Sequence, residues 1–151
     1  MKWGEMAIVG GVLYALSRMS QPKDYGSAEN CPLPTQDLRL NTKNRNHAIK
    51  ASYIQYGPLN LHDQTYWRRA AKHWNTTVPV AKKSKCKNCV AFDISPRMKK
   101  CMPGSVQKDG ELGYCWMHHF KCHSERTCYT WAAGGPIDTN KVSLEWQTRN
   151  S

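Results

Sequence analysis

Residues 86–92 read C-K-N-C-V-A-F and open a segment, closing at Cys128, that carries six of the chain's seven cysteines. So many thiols in so short a span build either a metal centre or a disulfide framework, because a segment of this size buries too little apolar surface to hold itself together unaided. Onward from Cys89 come Cys101, then G-Y-C-W around Cys115, then Cys122 and Cys128. Cys86 and Cys89 flank two residues, a spacing that lets both sulfurs turn toward one metal or cluster. Zinc knuckles, redox pairs and iron-sulfur proteins share it, so the context has to decide.

The rest of the chain offers little conventional core. Its 151 residues include only two Phe, and the apolar residues gather at 6–16 and around the cysteines. The expected fold is therefore small, irregular and α-rich, a metal- or cluster-stabilised cysteine-rich module with an N-terminal apolar helix and an extended arm. Composition shifts divide it into an apolar helix at 1–19, an arm or linker at 20–43, a basic helical segment at 44–82, the cysteine module at 83–136 and a tail at 137–151.

The run M-A-I-V-G-G-V-L-Y-A-L at 6–16 is shorter than the about 20 residues that span a bilayer. Ala7, Gly11 and Ala15 place small residues at every fourth position, and Trp3 and Tyr14 add interface-seeking aromatics, so residues 3–18 suit packing in an assembly or transient contact with a membrane. A signal peptide directing export is the runner-up, although Glu5 sits badly in its n-region. Pro22, Gly26, Pro32 and Pro34 mark the arm. Cys31 reads there as an unpaired thiol, and Leu38 and Leu40 alternate about Arg39 as in a short strand.

A short helix is predicted over Arg45–Tyr53, ended by Y-G-P at 56–58. Asp63 then caps a helix running to Trp74, with Trp67, Ala70, Ala71 and Trp74 on one face and Arg68, Arg69 and Lys72 on others. Trp67 and Trp74 are expected to pack that helix against the cysteine module. Thr77 before Pro79 starts a further turn. Asn75-Thr76-Thr77 matches the glycosylation sequon. The net charge of +11 attracts polyanions such as nucleic acid or anionic lipid, or stands as a merely solvated basic surface. No nucleotide-binding glycine loop, serine elbow or assignable base and nucleophile appears, so no enzymatic reaction is expected.

The order Cys86, Asn88, Cys89, Phe92, Cys101, a thirteen-residue gap and Gly113-Tyr114-Cys115 resembles the high-potential iron-sulfur proteins over roughly residues 86–116. That resemblance implies a four-iron four-sulfur cluster held by Cys86, Cys89, Cys101 and Cys115, with Phe92, Tyr114, Trp116 and Trp131 shielding it from water. Cys122 and Cys128 have no counterpart in that family. They form a disulfide, replace one of the four ligands, or complete a second site with His118, His119 or His123. Those histidines otherwise read as hydrogen-bonded or surface residues.

The larger order N-R-N-H-A-I-K, Y-G-P-L-N, Y-W-R-R-A-A-K-H-W, C-K-N-C-V-A-F, G-Y-C-W, F-K-C-H-S-E-R-T-C-Y-T-W and G-G-P-I resembles small cysteine-rich proteins of tailed bacteriophages of marine bacteria, over roughly residues 43–137. It implies a virion component in oligomeric assembly with other virion proteins. The expected function is thus a structural or internal phage protein whose cluster mainly stabilises the fold. One alternative is an electron-transfer or redox-sensing iron-sulfur protein. Another is a zinc-stabilised nucleic-acid-binding protein.

Overall fold

Four antiparallel strands and six helices make up the computed structural model, which describes residues 30–59, 62–107 and 109–150. In chain order the elements are α1 (Leu33–Gln36), α2 (Leu38–Lys50), α3 (Gln64–His73), α4 (Val78–Ala81), a 3-10 turn at Cys86–Asn88, β1 (Phe92–Asp93), α5 (Pro96–Cys101), β2 (Val106–Gln107), β3 (Gly110–Cys115), β4 (Phe120–His123) and α6 (Asn140–Arg149). The α-rich expectation did not include the sheet. The apolar run at 6–16, the first part of the arm and the whole of residues 3–18 lie outside the described residues.

Local capping sets the helix starts. Asp63 accepts from the Tyr66 amide and Thr77 from the Val80 amide, so α3 and α4 begin where their caps predict. Tyr66, Trp67, Ala70 and Ala71 of α3 are buried, while Arg68, Arg69 and Lys72 face solvent. The 20–43 reading needs correction within its described part. Asp37 accepts from the Leu40 amide and launches α2, which absorbs Leu38 and Leu40 into a helix and starts seven residues before the predicted Arg45. One local carboxylate outweighs a three-residue alternation, because it satisfies an amide that the first helical turn leaves unpaired.

That arm is docked on the cysteine-rich half. Asn44 Nδ2 donates to the His119 carbonyl at 2.7 Å, and the Lys121 amide donates to Asn41 Oδ1 at 2.8 Å. Ala48, Ile54 and Tyr56 share one buried cluster with Phe92, Met98, Tyr114, Phe120 and five of the cysteines, so the 44–82 and 83–136 segments have a core in common. The predicted tail forms α6, held by a buried polar network. Asp93 accepts from Trp116 Nε1 and Ser143 Oγ, while Arg97 donates to Ser143 Oγ and Gln147 Oε1. Ser143 thereby bridges two buried charges that would each be costly alone.

Strand β3 organises the sheet, pairing with β1, β2 and β4. Register sets Cys115 opposite both Phe92 and Phe120, and Gly113 opposite Cys122. Residues directly opposite share a face, so Cys115, Cys122, Phe92 and Phe120 project to one side and Tyr114 to the other. Gly113 is required here, since a Cβ would stand 2.5 Å from the Phe92 ring.

Candidate metal centre

Five cysteines line a single small cavity: Cys86, Cys89, Cys115, Cys122 and Cys128, with Phe92, Met117 and Trp131 among its walls. The sixth of the cluster, Cys101, is absent from it. At the end of α5 its sulfur is bonded to Cys31 at 2.02 Å, with the Cα atoms 5.6 Å apart. This corrects two sequence expectations together, because a sulfur committed to a disulfide has no thiolate to offer a metal, and Cys31 is no longer an unpaired thiol. Cys122 and Cys128 are both free thiols and do not pair with each other.

Local structure aims each thiol. The turn that carries Cys86 and Cys89 is fixed by Asn88, whose Oδ1 accepts from the Lys85 amide at 3.1 Å and from Trp131 Nε1 at 2.9 Å, while its Nδ2 donates to the Lys83 carbonyl at 2.9 Å. The asparagine of C-K-N-C thus stiffens the turn and seats Trp131 against the cavity. Gly134-Gly135-Pro136 presses on the same turn from outside. A Cβ on Gly135 would lie 1.7 Å from the Cys89 carbonyl oxygen, so this position admits no side chain. Sequence reading used G-G-P-I only as part of a resemblance and missed that role.

Cys115 ends β3, and the W-M-H-H turn wraps back over its sulfur. His119 takes a left-handed φ of 58° to close that turn, and the His118 amide donates to Cys115 Sγ at 3.4 Å. A hydrogen bond from the Cys122 thiol, together with the amides of His118, Met117 and His119, pulls Cys115 below the ordinary thiol range against the opposing effect of burial. Cys122 moves the other way. Burial first, then its hydrogen bonds to Cys115 and Cys86, hold it well above the usual value as the protonated partner. Burial raises Cys89, partly offset by the amides of Ala132 and Ala91, and raises Cys128 to about 12 despite its bond to the Thr130 hydroxyl. Backbone amides therefore point at the sulfurs of Cys89, Cys115 and Cys128, the arrangement that stabilises a thiolate in a dry site.

The expected shielding residues divide. Phe92 and Trp131 line the cavity; Tyr114 and Trp116 do not. Strand alternation turns Tyr114 to the opposite face, where its hydroxyl meets His119 Nδ1 at 3.2 Å, and Trp116 Nε1 is committed to Asp93 at 2.9 Å. Trp74 packs as expected against the module's edge, its Nε1 donating to the Tyr129 carbonyl at 3.1 Å and its ring 6.2 Å from that of Trp131, while Trp67 is buried in the α3–α4 cluster against which Tyr129 packs. The three histidines are hydrogen-bonded residues here. His118 Nε2 meets Thr130 Oγ1 at 2.7 Å, and His123 Nδ1 accepts from the Glu125 amide at 3.0 Å.

In donor chemistry the residues fit a thiolate-bound centre, because five thiols and the Thr127 hydroxyl face a cavity whose other walls are Ala91, Phe92, Met117 and Trp131. Its free volume of about 20 Å³ admits one water-sized atom, so a multi-iron core requires the thiols to move apart. Among the described residues no three His, Cys, Asp or Glu side chains converge on one single-ion position.

Comparison with protein-family models, with curated proteins and with solved structures gives no match for this chain. Among the described residues no helix is long and apolar enough to cross a membrane.

Burial lowers the proton affinity of His118, His119 and His123. Each folded-state pKa lies below its unfolded value near 6.5, so the unfolded chain binds more protons in acid. Stability is then fully present above about pH 6.5 and falls as pH drops through the folded-state values. Denaturant midpoints at pH 7.5 and pH 5.5 should show the lower value in acid; equal midpoints would contradict this.

Proposed function

We propose that this protein is a non-enzymatic carrier of a thiolate-bound metal centre, a four-iron four-sulfur cluster held by Cys86, Cys89, Cys115 and Cys128. The observation that carries the proposal is the convergence of five free thiols on one apolar cavity with amides directed at three of the sulfurs. Cys128 takes the place that the family resemblance gave to Cys101. Cys122 stands beside the set as a protonated thiol, since its hydrogen bonds run to two other sulfurs and no amide supports it as an anion. When bound, the cluster supplies four metal-sulfur bonds that tie the 3-10 turn, the β3–β4 turn and the 124–131 loop into one unit. The chain's own residues exclude water through Phe92, Met117 and Trp131, and hold the sulfurs in place through Asn88 and Thr130.

The role proposed for the centre is a staple for a virion component. Exposed Leu33, Leu38 and Tyr53 on the docked arm, together with the basic charge, support assembly with other virion proteins and contact with packaged DNA. Zinc is the second reading, favoured by the cavity's free volume of about 20 Å³, which suits one ion better than a multi-iron core once the thiols draw together on it.

Metal analysis of anaerobically purified protein, with acid-labile sulfide, tests both. Iron with equal sulfide is the expected result. Stoichiometric zinc selects the second reading, and protein that is folded, metal-free and rich in free thiols overturns the metal proposal. Reversible oxidation of an iron centre would move its role from staple to electron carrier.

A further inference from the structure

A second cavity, of about 360 Å³, lies between the end of α2, the Tyr56-Gly57-Pro58 turn and α3, and shares no lining residue with the thiol cavity. Its size falls within the range of small-ligand sites. Two arginines distant in sequence, Arg69 on α3 and Arg126 from the loop after β4, both line it. Each lies over a buried tyrosine. The Arg126 guanidinium carbon is 5.3 Å from the Tyr56 ring centroid, and that of Arg69 is 5.5 Å from the Tyr66 centroid.

Stacking occupies the flat face of a guanidinium and leaves its edge donors for an in-plane acceptor. Arg126 uses one such donor on the Gly57 carbonyl at 3.2 Å. Arg69 makes no hydrogen bond or ion pair with another described side chain. Asp63 also borders the cavity, its Oδ1 accepting from the Tyr66 amide at 3.2 Å, so two guanidinium charges face one carboxylate and the lining keeps a positive balance. The floor is fixed, because a Cβ on Gly57 would lie 2.4 Å from the Tyr66 ring, and the rim holds Gln55 at a left-handed φ of 47°. Left-handed backbone at a non-glycine residue gathers at ligand sites.

We propose that this cavity binds a phosphate group. A planar carboxylate is satisfied by one guanidinium in a bidentate pair, whereas a tetrahedral phosphate offers enough oxygens for two arginines approaching from different elements. The same group can come from free phosphate or from the end of a nucleic acid strand, and a chain of charge +11 draws in either.

The test is calorimetric titration of the full chain at fixed ionic strength with inorganic phosphate, and with a short DNA strand bearing or lacking a 5′-phosphate. Inorganic phosphate should bind, and Arg69→Gln should weaken it by about tenfold, the size expected for one charge-assisted pair. Arg69→Lys, which keeps the charge without the fork, should fall between. Tighter binding of the phosphorylated strand than of its unphosphorylated counterpart identifies a strand end as the source; equal strands alongside Arg69-dependent phosphate binding identify the free ion. Equal phosphate affinity for the native chain and Arg69→Gln would overturn the site. Arg69 is exposed, so the variant should keep its fold and metal content, and the outcome is independent of the thiol centre.

Discussion

Cys115→Ser should strip the metal and unfold the region from the 3-10 turn to Trp131. Serine cannot replace the sulfur, because its hydroxyl stays protonated at neutral pH and is a poor ligand for iron or zinc beside three thiolates. The change also exchanges the anionic sulfur that the His118 amide meets at 3.4 Å for a neutral hydroxyl on a shorter C–O bond, which weakens that contact in the turn that joins β3 to β4. Because the liganded state exists only in the folded chain, lost metal is lost stability, on the order of several kcal/mol. Metal per chain and a far-ultraviolet melt read both effects. Full metal content in this variant would remove Cys115 from the ligand set and the proposal with it. Cys122→Ala is the companion measurement. If Cys122 stands outside the four ligands, the alanine protein keeps its metal with only the cost of a small packing defect, and its loss of metal would put Cys122 in the place assigned to Cys128.

What the chain disclosed in advance was the chemistry encoded within a few residues. Asp63 and Thr77 announce their helices because an N-cap satisfies amides two or three positions away, and Cys86 with Cys89 announce a shared target because one turn carries both. Information fixed by register was harder to reach. Whether Tyr114 or Cys115 faces the cavity depends on strand pairing, and a strand reading of F-K-C-H would have placed Cys122 two residues from Phe120 on the same face as Cys115. Asp37 was a visible cap for α2 that the neighbouring prolines obscured. The pairing of Cys31 with Cys101 had no local signal at all, since 70 residues separate them and only the docking of α1 and α2 on the sheet brings them together.

That pairing yields the second large effect. In Cys31→Ser/Cys101→Ser the covalent tie between the arm and α5 is gone, and an unfolded chain freed of a 70-residue loop gains entropy equivalent to about 4 kcal/mol. For a domain of this size the melting temperature should drop by roughly 10–20 °C. Metal content should not change, because neither sulfur borders the thiol cavity. The arm should loosen first. Among its remaining holds are the Gln36 Nε2 bond to the Cys101 carbonyl at 3.0 Å, the Arg97 bond to the Asn30 carbonyl at 2.8 Å, the polar contacts of α2 with residues 119–121 and the burial of Ala48, and amide exchange across residues 30–50 should quicken before the sheet does. Measuring metal and melting on one preparation separates two assignments of Cys101. A less stable protein with its full metal complement supports the disulfide, whereas loss of metal on replacing Cys101 alone would return that sulfur to the ligand set and exclude the bond to Cys31 from the working protein.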